Sequence, residues 1–264
     1  MNITDLFSIA KLINLLTSIT HAIQSQFKSD VKLRRRFLNV CRSHGIEETQ
    51  IYKIFPNNDL LPTDFSNLTS TCKKLTPKLI EEFCNLFDVD RDWLETGYGP
   101  CQNEGYTYKQ ISEIEKIQSE LRDSFSDKSI VKLVVLAPSN IDLTNFHTFS
   151  PTTPVVIAYS VHHKIDDDMT VTLYRHTEIL FWGYQKTRVH LRAIVDIADK
   201  NRFMVSGAYA PASVIRRFNK GKICFAEAVS KRRAIWDPIK ELPNKANDIE
   251  RELLDNYYQT GTLP

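Results

Sequence analysis

The stretch that most constrains this chain is LTPKLIEEFCNLFDVDRDWLETGYGP, from Leu75 to Pro100. Thr76 is a good N-cap, and Pro77 suits a first helical position, where its missing N–H has no partner to lose. Glu81 and Glu82 follow near the positive end of the helix dipole. Leu79, Ile80, Phe83, Leu86 and Phe87 recur at i, i+1, i+4, i+7 and i+8, which is one apolar face of a helix. Asp90 starts a second short helix whose Trp93 and Leu94 close the core, and Gly97 and Pro100 end it.

This segment resembles the end of the helix-turn-helix domain of Xre/Cro-type transcriptional regulators, such as phage repressors. There a helix is followed by a Gly-Val pair, a polar pair, Trp-Leu and a Thr-Gly-x-Gly-Pro ending. Val89, Trp93, Leu94, Thr96, Gly97, Gly99 and Pro100 match that ending, with Asp88 where glycine is usual. The resemblance covers roughly residues 33–100 and is specific in its last third. Upstream, the turn between the second and third helices is longer than in the family and lacks its glycine.

Working back from there, FKSDVKLRRRFLNVCRSHGIEE (27–48) carries a local surplus of positive charge. Leu33, Phe37, Val40 and Cys41 make the inward face of a first helix, which Gly45 ends. Arg34, Arg35 and Arg36 are either a solvated helix face or, ahead of a helix-turn-helix, contacts to DNA phosphates that position the protein on the duplex. Glu47 to Phe55 fits a short second helix with Ile51 and Phe55 facing in, and Pro56, Asn57 and Asn58 form a turn. The resemblance implies that Gln50 braces the DNA backbone near the start of this helix. It also implies that the third helix, begun near Pro62 with Phe65 and Leu68 facing in, reads DNA. Thr63, Asp64, Ser66, Asn67 and Ser70 would then point outward to base edges, while Lys73 and Lys74 hold the next phosphates.

Before this region, MNITDLFSIAKLINLLTSITHAI has apolar residues at helical spacing (Ile3, Leu6, Phe7, Ala10, Ile13, Leu16). It lacks a basic leader, and Asp5, Lys11, Asn14 and His21 interrupt it, so neither a signal peptide nor a membrane span fits. A helix over 1–26 would pack against its own chain or pair with a second copy. After residue 100 comes a polar linker, and Ile114, Ile117, Leu121 and Phe125 then mark an amphipathic connecting helix, open to pairing, within 101–126.

Residues 127–264 change character. Runs at 130–137, 154–161, 169–175, 178–184, 188–197, 202–207 and 223–229 read as strands. Short connections suggest hairpins between the third and fourth and between the fifth and sixth. Helices are expected at Ala212 to Phe218 and at Ala246 to Tyr258. The fold class is therefore α+β: an all-helical helix-turn-helix part over 27–100, then a separate, mostly antiparallel sheet with flanking helices.

Several chemistries find little footing. Eight glycines are a poor supply for a dinucleotide or phosphate-loop fold, and GYGP follows a helix, not a strand. The self-cleaving Ser-Lys peptidase that phage repressors often carry has no match here, because Ser206-Gly207 and Ala212-Ser213 lack its context. His162, His163, Asp166, Asp167 and Asp168, with His176 nearby, are right for a divalent ion in type but not in spacing, and a solvated turn is the simpler reading. Arg216, Arg217, Lys220, Lys222 and Lys231 to Arg233 are either a solvated face or a second anion-binding surface.

The expectation is a non-enzymatic, sequence-specific DNA-binding regulator, a dimeric repressor of phage or mobile-element type. It would need no cofactor or metal and would bind double-stranded operator DNA as a homodimer, with a small molecule or protein sensed by the C-terminal part. The alternative is a protein-interaction module on a helix-turn-helix scaffold. A net charge of +2 over 264 residues means that any DNA surface must be a local asymmetry. Five cysteines without a CxxC pair suggest reduced thiols in a cytoplasm.

Overall fold

The computed structural model describes residue 25 and residues 27–124, 131–139, 141, 153–244 and 246–261. The expectation of a helix over 1–26 lies almost wholly outside these residues, as does Phe125.

The helical part opens with α1, which runs through residues 27–43 and ends at Gly45, whose φ is +76°. A 3-10 turn at Glu48–Gln50 leads into α2 (Ile51–Ile54); α3 is Leu68–Lys74, α4 Pro77–Phe87 and α5 Arg91–Thr96. Local chemistry sets these bounds. Thr76 Oγ1 accepts from the Leu79 amide at 3.3 Å with Pro77 at the first helical position, and Asp90 Oδ1 accepts from Trp93 N at 2.7 Å. Asp88 takes the left-handed conformation (φ +55°) that ends α4. Aspartate is among the few side-chain-bearing residues that visit this region readily, so it can stand where the resembled family has glycine. Phe37, Phe65, Phe83 and Phe87 are fully buried, and Phe37 stacks on Phe83 at 4.2 Å between ring centroids.

The C-terminal part is a sheet with helices on both faces. Its strands are β1 (Val131–Pro138), β2 (Pro154–Lys164), β3 (Thr170–His176), β4 (Leu180–Phe181), β5 (Met204–Ala210) and β6 (Ala234–Trp236), in the order β3-β2-β1-β5-β6 with β4 on β2. β1 and β5 run parallel, and the other pairings among these six strands are antiparallel. Leu133, Val135, Val155, Ile157 and Tyr159 face one side, under α6 (Ile111–Ser124), α7 (Gln185–Lys200), α10 (Pro238–Asn244) and α11 (Asp248–Thr260). Val134, Leu136, Val156 and Ala158 face the other, under α8 (Ala212–Asn219) and α9 (Phe225–Ser230).

Four local readings are corrected. RVHLRAIVDI is not a strand but the middle of α7, and ICFAEAV contains α9. In α7 eleven residues are buried, polar ones included, because sheet, α6, α10 and α11 surround it. Buried Arg188, His190 and Arg192 alternate with Val189, Leu191 and Ala193, and that alternation imitates a strand. Both expected hairpins fail with these runs: β3 pairs with β2 across the HHKIDDD turn, and β4 continues along β2. The connecting helix is α6, whose Ile114, Ile117 and Leu121 are buried within the same chain against α7.

The two parts expected to be separate share a core. Met169, Val171 and Leu173 around β3, with Cys224 and Ala226, belong to the same apolar cluster as Phe87 and Val89. His44 Nδ1–H donates to the Thr172 carbonyl at 2.6 Å, Arg175 Nη2 reaches the Asn85 and Leu86 carbonyls at 3.2 Å each, and Lys53 pairs with Asp166 at 2.8 Å. Behind the sheet, α7 and α11 are joined by a buried ion network. Arg188 Nε donates to Glu250 Oε1 at 2.5 Å, and Arg192 Nη1 lies 2.9 Å from Glu250 Oε2.

Two outcomes follow from this packing. Burial lowers the His44 pKa to about 4, so the unfolded chain takes up a proton first as pH falls. Stability is therefore full above about pH 6.5 and is lost on the way down to about pH 4, by up to about 3 kcal/mol from this group. His190, also depressed by burial, adds a loss of the same sign. Urea midpoints measured from pH 7.5 to 4.5 should fall, and should fall less in His44→Gln; an unchanged slope would show that His44 is not a buried neutral group. Removing the acid from the ion network takes from two buried arginines the carboxylate they share, so Glu250→Ala should lower the unfolding free energy by about 3–5 kcal/mol. A loss below about 1 kcal/mol would mean that the network is solvated.

Candidate nucleic-acid interface

The candidate surface is built around the approach to α3. The chain leaves α2 through a 3-10 turn at Pro56–Asn58 and bends at Asp59, whose φ is +46°. Residues 62–65 form a turn instead of the expected first helical turn. Asp64 Oδ2 accepts from Leu61 N at 2.7 Å, Ser66 Oγ donates to the Thr63 carbonyl at 2.7 Å, and Asn67 Oδ1 accepts from Ser70 N at 3.0 Å as the N-cap of α3. Short polar side chains that bond nearby backbone compete with helix, and here they delay α3 to Leu68.

This shift re-sorts the base-reading candidates. Thr63, Ser66 and Asn67 are exposed and Ser70 is half-buried. Asp64 does not point outward: it is 8% exposed, and Lys74 Nζ lies 3.3 Å from its carboxylate. Thr69, absent from the sequence-derived set, is exposed on the first turn of α3. It could have been found only by placing the N-cap at Asn67.

The phosphate candidates divide in the same way. Arg34 Nη2 donates to the Phe65 carbonyl at 2.8 Å and Nε to Thr71 Oγ1 at 3.1 Å, so it ties α1 to the start of α3. Arg36 donates to the Leu94 and Glu95 carbonyls at 2.6 Å each and caps α5. Gly97 permits this, because a Cβ there would lie 2.9 Å from Arg36 Nη1. Gln50 Oε1 accepts from Glu47 N at 2.9 Å at the head of the 3-10 turn, and Lys74 Nζ also donates to the Asp59 carbonyl at 2.7 Å. Arg35 and Lys73 are exposed. Arg34, Arg36, Gln50 and Lys74 thus hold the scaffold, while Arg35 and Lys73 offer charge to solvent.

The exposed charge along this stretch is positive, with exposed Asp59 and Glu81 just beyond its two ends. Between Leu60 and Ile80 the only carboxylate is Asp64, which is buried and paired. Every exposed polar side chain in that span is a hydroxyl, an amide or an ammonium.

No protein family, curated protein or solved structure matches this chain. The functional reading rests on the surface itself.

A second feature lies where the two parts meet. A cavity of about 610 Å³ opens between the end of α1 and the sheet, with Ser43, Lys132, His162, Thr172, Ser206 and Arg232 among its walls. His162 Nδ1 lies 3.1 Å from Thr172 Oγ1, one residue-face away from the His44 contact that joins the two parts. In the HHKIDDD run, His162 to Lys164 end β2 and the rest forms the β2–β3 turn, where Asp166 pairs with Lys53.

The cap makes a stability prediction separate from any binding. Asn67→Ala should destabilise by about 1 kcal/mol, whereas Asn67→Ser should stay within a few tenths. Equal losses in thermal unfolding would remove Asn67 as the N-cap.

Proposed function

We propose that this protein is a DNA-binding transcriptional regulator that presents the approach and first turns of α3 to the duplex. The observation that carries this reading is the absence of any exposed carboxylate from Leu60 to Ile80, where Thr63, Ser66, Thr69 and Lys73 are exposed on one helix and the turn before it. A surface meant for phosphates cannot display unpaired acids, and neutral hydroxyls can meet base edges as donor or acceptor. The resemblance of the 75–100 segment to Xre/Cro-type regulators points the same way.

In this reading Lys73 and Arg35 contact phosphates, and Ser66, Thr69, Thr63 and Asn67 face bases. A homodimer would set two α3 helices about one helical turn apart on operator DNA. The cavity between α1 and the sheet is where a small polar effector would act, because its walls belong to both parts and a ligand there would shift one against the other.

The test is fluorescence anisotropy of the full chain on DNA from upstream of its own gene, beside a scrambled duplex, across a salt series. Binding should prefer the native fragment and weaken steeply with salt. Ser66→Ala/Thr69→Ala should cost about 1–3 kcal/mol per lost base contact on the native fragment and little on the scrambled one. Lys73→Ala should weaken both alike and lower the salt slope by about one. Absence of binding to either duplex at low salt would sink this reading in favour of a protein-interaction module.

A further inference from the structure

A cleft of about 410 Å³ lies between α1 and the α8–α9 turn. Arg35 and Arg36 line one wall, and Arg217 and Lys222 line the other. The one carboxylate in the lining, Glu227, is already shared: its Oε1 lies 2.5 Å from Lys231 Nζ and 3.7 Å from Arg217 Nη2. Four cations therefore converge on an open volume with a single, divided counter-charge.

The walls are fixed before any ligand arrives. Arg36 is held by the Leu94 and Glu95 carbonyls. The Arg217–Lys222 turn is closed by Lys222 N donating to the Arg217 carbonyl at 2.9 Å. That turn is pinned to the helical part, because Cys101 N donates to the Gly221 carbonyl at 2.8 Å and Phe225 N to Gln102 Oε1 at 2.6 Å. Gly221 (φ +63°) lets the parts approach this closely, since a Cβ there would lie 2.4 Å from Pro100 Cα. The charge is not relieved from within: burial and the neighbouring Arg35 both lower the Arg36 pKa. Lys28 and Lys32 precede Arg35 on α1 at i−7 and i−3 and extend the positive face outward.

We propose that this cleft is a phosphate-binding site, in which Arg35, Arg36, Arg217 and Lys222 together hold one phosphate group. Guanidinium forks match the oxygens of a phosphate in pairs, and a site with this surplus of charge suits a doubly charged group better than a single carboxylate. The phosphate comes either from the backbone of bound DNA, which rests on the function proposed above, or from a free phosphorylated small molecule, which does not. The reading of the helix-turn-helix part reaches Arg35 and Arg36 but not Arg217 and Lys222, which the C-terminal part brings to the same cleft.

The experiment compares the full-length wild type with Arg217→Gln/Lys222→Gln, each shown to be folded by circular dichroism melting. A control neutralises two exposed lysines on the opposite face of the sheet, Lys116→Gln/Lys186→Gln. One arm measures DNA binding across a salt series, and the other titrates inorganic pyrophosphate by calorimetry. If the phosphate belongs to DNA, the cleft variant binds DNA about tenfold more weakly with a salt slope smaller by about two, and the control does neither. If it belongs to a free ligand, the wild type binds pyrophosphate, the cleft variant does not, and DNA affinity is kept. Unchanged DNA affinity, salt slope and pyrophosphate heat in the folded cleft variant would overturn the site. Should the wild type bind no DNA at all, the regulator reading fails by itself. The calorimetric arm then decides the cleft: heat lost in the variant supports it, and no heat in the wild type overturns it.

Discussion

The contact on which the rest of this structure depends is the seating of the helical part on β3. Phe87 and Val89 share one apolar cluster with Val171 and Leu173, and His44 closes the seam by donating to the Thr172 carbonyl. Burial disfavours the charged imidazole more than the hydrogen bond to the carbonyl favours it, so the seam joins hydrophobic packing to one titratable group. Because the seam is buried, α1 and the sheet form one frame. Both the α3 surface and the two cavities at the junction take their shape from it.

Within that frame, the arginine run of α1 shows how one sequence feature divides into separate tasks. Successive residues on a helix point about a third of a turn apart, so neighbours meet different surroundings. Arg34 faces α3 and holds its start, Arg36 faces α5 and caps its end, and Arg35 is left to solvent and the cleft. A guanidinium carries several donors in a fixed fork, which lets it satisfy two carbonyls at a helix end while keeping its charge. The scaffold and the candidate anion surfaces are thus made from the same three residues.

Legibility in the sequence followed the range of the forces involved. Thr76, Asp90 and Gly97 could be read as caps because a cap acts over three or four residues. The start of α3 could not: the sequence reading began it near Pro62, and the structure begins it after Asn67. The choice between them rests on Asp64, whose carboxylate is held by Leu61 N and by Lys74 ten residues away. Thr69 was overlooked and Asp64 wrongly faced outward for that one reason. In α7, the arginines and histidine that pair with Glu250 and pack under α11 alternate with apolar residues, and that alternation reads as a strand until their buried partners are known.

The sequence by itself determined the α4–α5 unit, the α+β class, the first three strands and the closing helix, since each is specified by caps, alternation or an apolar stripe within its own span. Only the tertiary structure decided that the two parts share a core, that α7 is a helix, and that Arg34 and Arg36 brace carbonyls while Arg35 meets Arg217 and Lys222 across a cleft. The reason is reach: a charged side chain takes its role from the nearest carbonyl, carboxylate or like charge, and here such a neighbour lies as many as 113 residues away along the chain but 2.8 Å away in space.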